Sequence, residues 1–140
     1  RKLQDNFLGL MLMRKTLRGE FLALVTTEMF YTEEGKELLE FLRTHPDFDG
    51  KDTSGVQKLA DYVKIEALLY EELYNGLELN ELHYEAARLQ ARLVEQFVKT
   101  EKEKLADSLE TADDASTRQL LKKAKEYDAL LNKVKGAANA

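Results

Sequence analysis

The chain has 140 residues, 44% of them hydrophobic and 34% charged, with one Pro and neither Cys nor Trp. This length fits one domain, or one domain with a small appendage. The lack of cysteine excludes a disulfide framework and a Cys-based zinc site. The longest apolar run, Phe7 to Met13, spans seven residues, whereas a membrane-spanning helix needs about 20. Because no signal-peptide pattern occurs either, we expect a cytoplasmic protein without a membrane partner.

The charge differs between the two ends of the chain. The 21 basic and 26 acidic side chains give a net charge of −5, and nine basic and eight acidic ones lie between Lys99 and Lys135. The first 98 residues are therefore acidic. Such a surface offers no broad basic face to a phosphate backbone, so we expect little or no direct nucleic-acid binding.

Apolar residues recur along the chain at the three-and-four spacing of helices, and Leu, Ala, Glu and Lys are abundant. Asp5 predicts the N-cap of a helix over 6–13 that is apolar on almost every side. Thr16 predicts the N-cap of a second helix over 17–25. A break with aromatic anchors follows at 26–31.

A third helix is predicted between Thr32, which suits an N-cap, and His45-Pro46, which suits a helix end. Its expected buried face consists of Leu38, Leu39, Phe41 and Leu42. This face follows from the helical spacing of its apolar residues.

A loop over 47–55 leads to two further predicted helices, over 56–62 and 65–74. Asn75-Gly76 suits the end of the second one, because both residues tolerate the left-handed backbone conformation. We expect this helix to bury Leu68, Leu69 and Leu73.

The longest predicted helix covers 80–109 and would be about 45 Å long, more than a bundle of short helices can cover. A tight connection at 111–114 leads to the last helix. Asp113 and Asp114 suit its start, Ser116 and Gln119 form a candidate capping box, and the helix runs to about Lys135. Its apolar residues form a narrow seam that is typical of a helix pair. The seam consists of Leu120, Ala124, Tyr127, Leu131 and Val134.

These patterns predict an all-α fold, in which a bundle of short helices is followed by a long helix and a protruding C-terminal helical hairpin. The bundle takes residues 1–95 and the hairpin residues 96–140. No β-strand pattern and no internal repeat occur. Because the chain opens on Arg1 rather than Met, we expect a piece of a longer protein.

No constellation of residues predicts catalysis. The two histidines, His45 and His83, lack the Glu-x-x-His spacing of carboxylate metal sites. Glu81 and Glu85 lie two residues from His83, so these side chains point to different sides of a helix. No nucleophile elbow, phosphate-binding loop or paired-histidine zinc motif occurs, and no pattern indicates the polar pocket of a ligand carrier. We therefore expect no enzyme activity, no metal and no cofactor.

The last predicted helix carries the clearest candidate for a binding surface. Tyr127, Leu130 and Leu131 follow a basic run that includes Lys122 and Lys123. Two interpretations stay open for Tyr127 and Leu131: they join the two hairpin helices, or they belong to an amphipathic arm that docks on a partner helix. Leu130 lies off the seam, so we expect it to be more exposed.

The apolar runs of the first half resemble a helical-bundle pattern of two families, the N-terminal domain of DnaB-type replicative helicases and the C-terminal, helicase-binding domain of DnaG-type primases. These runs are Leu8-Gly9-Leu10-Met11-Leu12-Met13, Phe21-Leu22, Glu28-Met29-Phe30-Tyr31 and Leu38-Leu39-Glu40-Phe41-Leu42. The second half looks like the tail of the primase, which typically ends in a helical hairpin. The matching segments are Glu85-Ala86-Ala87-Arg88-Leu89, the helix through Lys104-Leu105, Asp113-Asp114, and the stretch from Leu120 to Leu131.

The resemblance implies a helicase-binding module of a bacterial DNA primase. Its hairpin would dock on the N-terminal domains of the replicative helicase hexamer and recruit primase to the replication fork, and its bundle would modulate helicase activity. The primase chemistry would lie in other domains. The implied contact residues, on the last helix and the hairpin tip, are Asp113, Arg118, Lys122, Lys123, Tyr127, Leu130 and Leu131.

The N-terminal helical domain of a DnaB-type helicase is the alternative that the resemblance leaves open. Such a domain would act in self-assembly and in primase binding. For the primase module we expect a monomer in isolation, with exchange of the hairpin between two copies as a further alternative.

Overall fold

The computed structural model describes residues 2–50 and 57–139, and these residues form helices and connecting turns without a β-strand. The helices in chain order are α1 (Lys2–Met13), α2 (Arg18–Phe21), α3 (Glu33–Thr44), α4 (Ala60–Tyr74), α5 (Leu79–Leu109) and α6 (Asp114–Ala138). Single 3-10 turns at Lys15–Leu17 and Thr27–Met29 lie before and after α2. The predicted all-α class, a helical bundle with a long helix and a C-terminal helix, is confirmed.

Helix α1 occupies the centre of the bundle, where it packs against α3, α4 and α5. Its apolar residues from Phe7 to Leu12 have no solvent-exposed surface. A helix that is apolar on all sides is stable only when other elements surround it. The remaining core side chains with 2% exposure or less include Phe21, Val25, Leu38, Leu39, Leu42, Leu82, Leu89 and Leu93.

The boundaries of the first two predicted helices were wrong. Helix α1 begins at Lys2, so Asp5 lies in its first turn and not at the N-cap. Helix α2 has four residues instead of nine, and Thr16 does not cap it. The helix ends early because the chain is redirected here: the carbonyls of Leu22 and Val25 accept hydrogen bonds from the Arg43 guanidinium.

The expected limits of the third helix are confirmed. The Thr32 side chain accepts a hydrogen bond from the backbone N–H of Gly35, and α3 ends at Thr44, directly before His45-Pro46. Leu38, Leu39 and Leu42 are buried as predicted, whereas Phe41 is half-buried.

Helix α4 is one continuous helix where two were predicted, over 56–62 and 65–74; residue 56 lies outside the described residues. Its end at Asn75-Gly76 is confirmed: Tyr74 is the last helical residue, Asn75 is extended, and Gly76 has the left-handed φ of +90°. Its expected buried face was wrong, because Leu68 is 69% exposed and Leu73 is 49% exposed. The side chains that face inward are Tyr62, Val63, Glu66, Tyr70 and Tyr74.

The physical reason is that α4 has two faces with helical spacing. The inner one, which includes Tyr62, Tyr70 and Tyr74, packs on the side of α1. There, the backbone of α4 comes so close that a Cβ on Gly9 would lie 3.2 Å from the Glu66 carbonyl oxygen. Together with the hydrogen bond from Arg14 to the Tyr70 hydroxyl, at 2.7 Å, this close packing holds the inner face of α4 against the N-terminal part of the chain.

A buried amide joins α1 to the starts of α3 and α4. Gln4 has no exposed surface, and its Nε2 donates to the hydroxyls of Thr32 and Tyr62, each at 3.1 Å. Its Oε1 accepts from the backbone N–H groups of Tyr31 and Thr32, at 2.6 and 3.2 Å. The Tyr62 hydroxyl in turn donates to Asp5, at 2.8 Å. Burial, together with the nearby Glu66 and Asp5 carboxylates, raises the pKa of Tyr62.

We expect Gly35→Ala to destabilise the protein by about 1–3 kcal/mol, because the new methyl group would overpack the buried site. Its Cβ would lie 2.6 Å from Cδ of Gln4, whose amide is held by the bonds described above. The matched control is Gly136→Ala in α6, where, apart from the adjoining residues and backbone of α6 itself, no atom lies within 4 Å of the added Cβ. There, the higher helix propensity of alanine should stabilise the protein by about 0.5–1 kcal/mol. Chemical denaturation of both variants measures whether their free energies of unfolding change in opposite directions. A gain in stability for Gly35→Ala would contradict the prediction.

Candidate functional site

The C-terminal half of the chain forms a hairpin of two long helices, α5 and α6, which pack against each other. Helix α5 starts within the bundle, where Leu82, Leu89 and Leu93 are buried. Beyond Val98 every residue of α5 is exposed or half-buried. The helix is about 46 Å long. Its second half therefore makes its main contacts with α6.

The predicted seam of α6 faces α5. The ring of Tyr127 meets the ring of Phe97 edge-on, with 5.9 Å between their centroids. Val134 has no exposed surface, and Val98 of α5 is only 2% exposed. The other predicted seam residues, Leu120, Ala124 and Leu131, are half-buried. This spacing of three and four residues is the pattern of a two-stranded coiled coil.

Leu130, which we expected to be more exposed than the seam, is half-buried and packs against the core together with Leu131. A side chain of this size reaches the neighbouring helix even from a position beside the seam. Three of the seven predicted contact residues, Tyr127, Leu130 and Leu131, therefore contribute to packing within the chain.

Two ion pairs at the edges of the seam connect α5 and α6. Lys102 Nζ lies 2.7 Å from Asp128 Oδ1, and Lys135 Nζ lies 3.7 Å from Glu95 Oε2. All four side chains are about half exposed, so each pair adds little to stability. The two pairs lie at different positions along the hairpin, so they join α5 and α6 at two points.

Asp113, the predicted contact at the hairpin tip, is the N-cap of α6. Its Oδ1 accepts a hydrogen bond of 2.8 Å from the backbone N–H of Ser116. This bond holds the pKa of the Asp113 carboxyl below its ordinary value. The predicted capping box at Ser116 and Gln119 was wrong, because Asp113 takes the cap three residues earlier. The predicted end at Lys135 was also wrong: α6 continues through Gly136 to Ala138.

The basic side chains of α6 lie on its exposed surface. Arg118 and Lys122 point away from the seam, and Lys123 lies on one flank; all three are exposed and form no ion pair within the described residues. Leu121, on the opposite flank, is 50% exposed. We call Arg118, Leu121, Lys122 and Lys125 the outer α6 face. Leu121 is not among the predicted contact residues, although its position off the seam is visible in the sequence.

Other parts of the described chain offer no comparable arrangement. Each histidine has a local partner: His83 Nε2 lies 2.5 Å from Glu20 Oε2, and the His45 ring stacks on Phe41. Within residues 2–50 and 57–139, no three His, Asp or Glu side chains come close enough to hold a metal ion. None of the described helices combines the length and apolar character that crossing a membrane requires.

No protein-family model, curated protein or solved structure matches the chain.

Proposed function

We propose that the chain is the helicase-binding module of a bacterial DnaG-type primase. Its α5–α6 hairpin would dock on the N-terminal domains of a replicative helicase hexamer. The observation that carries the proposal is the hairpin itself. Its two helices bury the α6 seam against each other, and its outer α6 face is basic although the chain as a whole is acidic. The resemblance of the sequence supplies the identity of the partner.

The structure suggests different roles for the predicted contact residues. Arg118 and Lys122 are exposed and unpaired within the described residues, so they are available for acidic groups of a partner. Leu121 offers the apolar area that a docking helix needs at its centre. Tyr127 and Leu131 hold α6 against α5 and act as positioning residues.

The mechanism of such a module is tethering. A hairpin bound to a helicase subunit keeps the attached primase domains near the replication fork and so raises their effective concentration there. This effect requires no catalytic group in the module. Modulation of the helicase by the bundle would follow from the same attachment.

Size-exclusion chromatography with light scattering tests the proposal on the chain alone, at about 5 µM, and mixed with the replicative helicase of the same organism. Co-elution with the hexamer is the expected result. Rings or dimers that do not bind added helicase would favour the alternative, the N-terminal domain of a DnaB-type helicase. A chain that binds nothing would contradict both readings.

The double substitution Arg118→Glu with Lys122→Glu should weaken helicase binding by about tenfold or more, because it reverses two charges at the contact. The matched control is Lys15→Glu with Lys36→Glu, which makes the same change of net charge on the bundle and should leave the affinity unchanged. Isothermal titration at low and high salt measures both. Equal losses in the two variants would show that net charge, and not the outer α6 face, attracts the helicase.

The double substitution Tyr127→Ala with Leu131→Ala should also weaken binding, but through loss of the seam. We expect reduced helicity of the hairpin and a folded bundle; far-ultraviolet circular dichroism measures the loss of helix, and amide hydrogen exchange shows where it occurs. If protection falls equally in α1 and α6, the bundle and the hairpin are one cooperative unit, and the two-part organisation is contradicted.

A further inference from the structure

Helix α4 carries a second apolar face that the fold leaves uncovered. Among the described residues, seven large hydrophobic side chains are exposed, and three of them, Ile65, Leu68 and Leu73, lie on this one helix. Leu68 is the most exposed of the seven, at 69%. A helix with apolar residues on both sides is typical of one that is covered on both sides. Here, however, the principal packing partner of α4 is α1.

The two charges on the ridge through Leu68 are arranged so that this ridge complements itself. Lys64, Leu68 and Glu72 follow one another at intervals of four residues, so they form a single ridge on the outer side of α4. Lys64 and Glu72 are exposed, and neither forms an ion pair within the described residues. They lie about 12 Å apart along the helix, too far to pair with each other.

A two-fold axis at Leu68 that relates two copies of the chain would give both of these charges a partner. Such an axis places a second α4 antiparallel to the first, with Leu68 against Leu68. Lys64 of each copy then lies opposite Glu72 of the other, so both ion pairs form at once. A two-fold interface is self-complementary in this sense, since the same patch serves on both subunits. Ile65 and Leu69 lie beside Leu68 and add apolar area at the contact.

We propose that the outer face of α4, formed by Lys64, Ile65, Leu68, Leu69 and Glu72, is the interface of a two-fold dimer of this chain. The occupant is a second copy because the ridge carries one charge of each sign at equal distances from its apolar centre. A partner of uniform charge would leave one of the two unpaired. This inference does not rest on the proposed helicase binding, which uses α6.

The dimer should be weak. Helix α4 is about 22 Å long, so a single pair of such helices lies at or below the lower end of the roughly 1,200–2,000 Å² that stable interfaces bury. We therefore expect a dissociation constant in the micromolar range, which corresponds to about −8 kcal/mol at 1 µM. Sedimentation equilibrium between about 1 and 500 µM should show a reversible shift from monomer to dimer.

Leu68→Arg should keep the chain monomeric up to about 500 µM and leave its helicity unchanged, since this side chain is mostly exposed. The matched control is Leu121→Arg, which places the same charge on the half-exposed apolar residue of α6 and should not affect dimerisation. A dimer that survives Leu68→Arg, or a wild-type chain that stays monomeric throughout this range, would overturn the proposal.

A charge exchange tests the antiparallel register. Lys64→Glu alone should weaken the dimer by about tenfold, because it places Glu opposite Glu72 twice. Lys64→Glu combined with Glu72→Lys restores both pairs, so the affinity should return to within a few-fold of wild type. Because the two residues cannot pair within one helix, such a rescue reports an intermolecular contact. Failure of the rescue, with both variants folded, would overturn the antiparallel arrangement.

The two proposals fail separately in these experiments. Leu68→Arg should abolish the dimer and leave co-elution with the helicase intact. Loss of helicase binding in wild type, with an α4 dimer still present, would contradict only the proposed function. Self-association that is equally strong in wild type and in Leu68→Arg would show that the copies meet outside α4, which would overturn the α4 dimer.

Discussion

Replacing Arg18 with Ala should destabilise the protein by at least about 3 kcal/mol, because several buried carbonyl groups would lose a charged donor at once. Arg18 is only 4% exposed. Its Nε donates to the carbonyl of Met11 at 2.5 Å, and its Nη2 donates to those of Leu12 and Phe48, at 2.7 and 2.6 Å. Its Nη1 donates to the carbonyl of Pro46 at 2.9 Å.

Burial lowers the pKa of Arg18, and the nearby carboxylates of Asp47 and Asp49 partly offset this effect. A guanidinium nevertheless stays charged in proteins, so the group acts as a permanent donor that joins the end of α1 to the loop after α3. Arg18→Lys should restore little of the stability lost in Arg18→Ala, because an ammonium group cannot reproduce the planar, five-donor geometry of the guanidinium.

Urea unfolding followed by circular dichroism measures the Arg18→Ala effect. The matched control is Arg92→Ala, an exposed arginine of α5, which should change the stability by no more than about 0.5 kcal/mol. If Arg18→Ala loses less than about 1 kcal/mol, water replaces the guanidinium at these carbonyls, and the site does not hold the loop.

Leu10→Ala should destabilise the protein by about 2–5 kcal/mol, because it leaves a cavity in the centre of the bundle. Leu10 has no exposed surface and belongs to the helix that α3, α4 and α5 surround. Since the neighbouring helices pack on α1 from several sides, they cannot collapse into the space from one direction. The denaturant midpoint gives the change in stability.

The control for Leu10→Ala is Leu121→Ala, which removes the same atoms from a side chain that is 50% exposed. Its effect should stay within about 1 kcal/mol, since little buried area is lost. A near-zero effect of Leu10→Ala would show that α1 is not the core of the bundle, and a large effect of both would indicate that the outer α6 face is covered in solution.

Local chemistry made several elements of this protein predictable. The Thr32 N-cap and the end of α3 before His45-Pro46 depend on backbone groups a few residues away. The stop at Gly76 depends on the left-handed conformation of one residue. The α6 seam, including Tyr127, is a helical repeat of apolar residues, and one facing helix is enough to bury it. In each case the decisive partners lie close in sequence or follow from a simple period.

The buried polar residues were not predictable from the sequence. Gln4 and Arg18 look like ordinary surface side chains in the sequence, and their roles depend on Thr32, Tyr62 and Pro46, which are 28 to 58 residues away. The free-energy cost of burying a polar side chain is offset only where such hydrogen-bond partners surround it. No spacing pattern in the sequence indicates that these distant residues come together.

The sequence by itself determined that this protein is helical, where several of its helices end, and that α6 has one narrow apolar seam. These properties follow from backbone propensity and from periodicity, which act within a few turns. Only the tertiary structure decided which of the two apolar faces of α4 is buried and which, with Leu68, is left to solvent. Both faces have helical spacing, so the choice depends on the packing of α4 against α1, including the hydrogen bonds that Tyr62 and Tyr70 accept from Gln4 and Arg14, and no local signal encodes this packing.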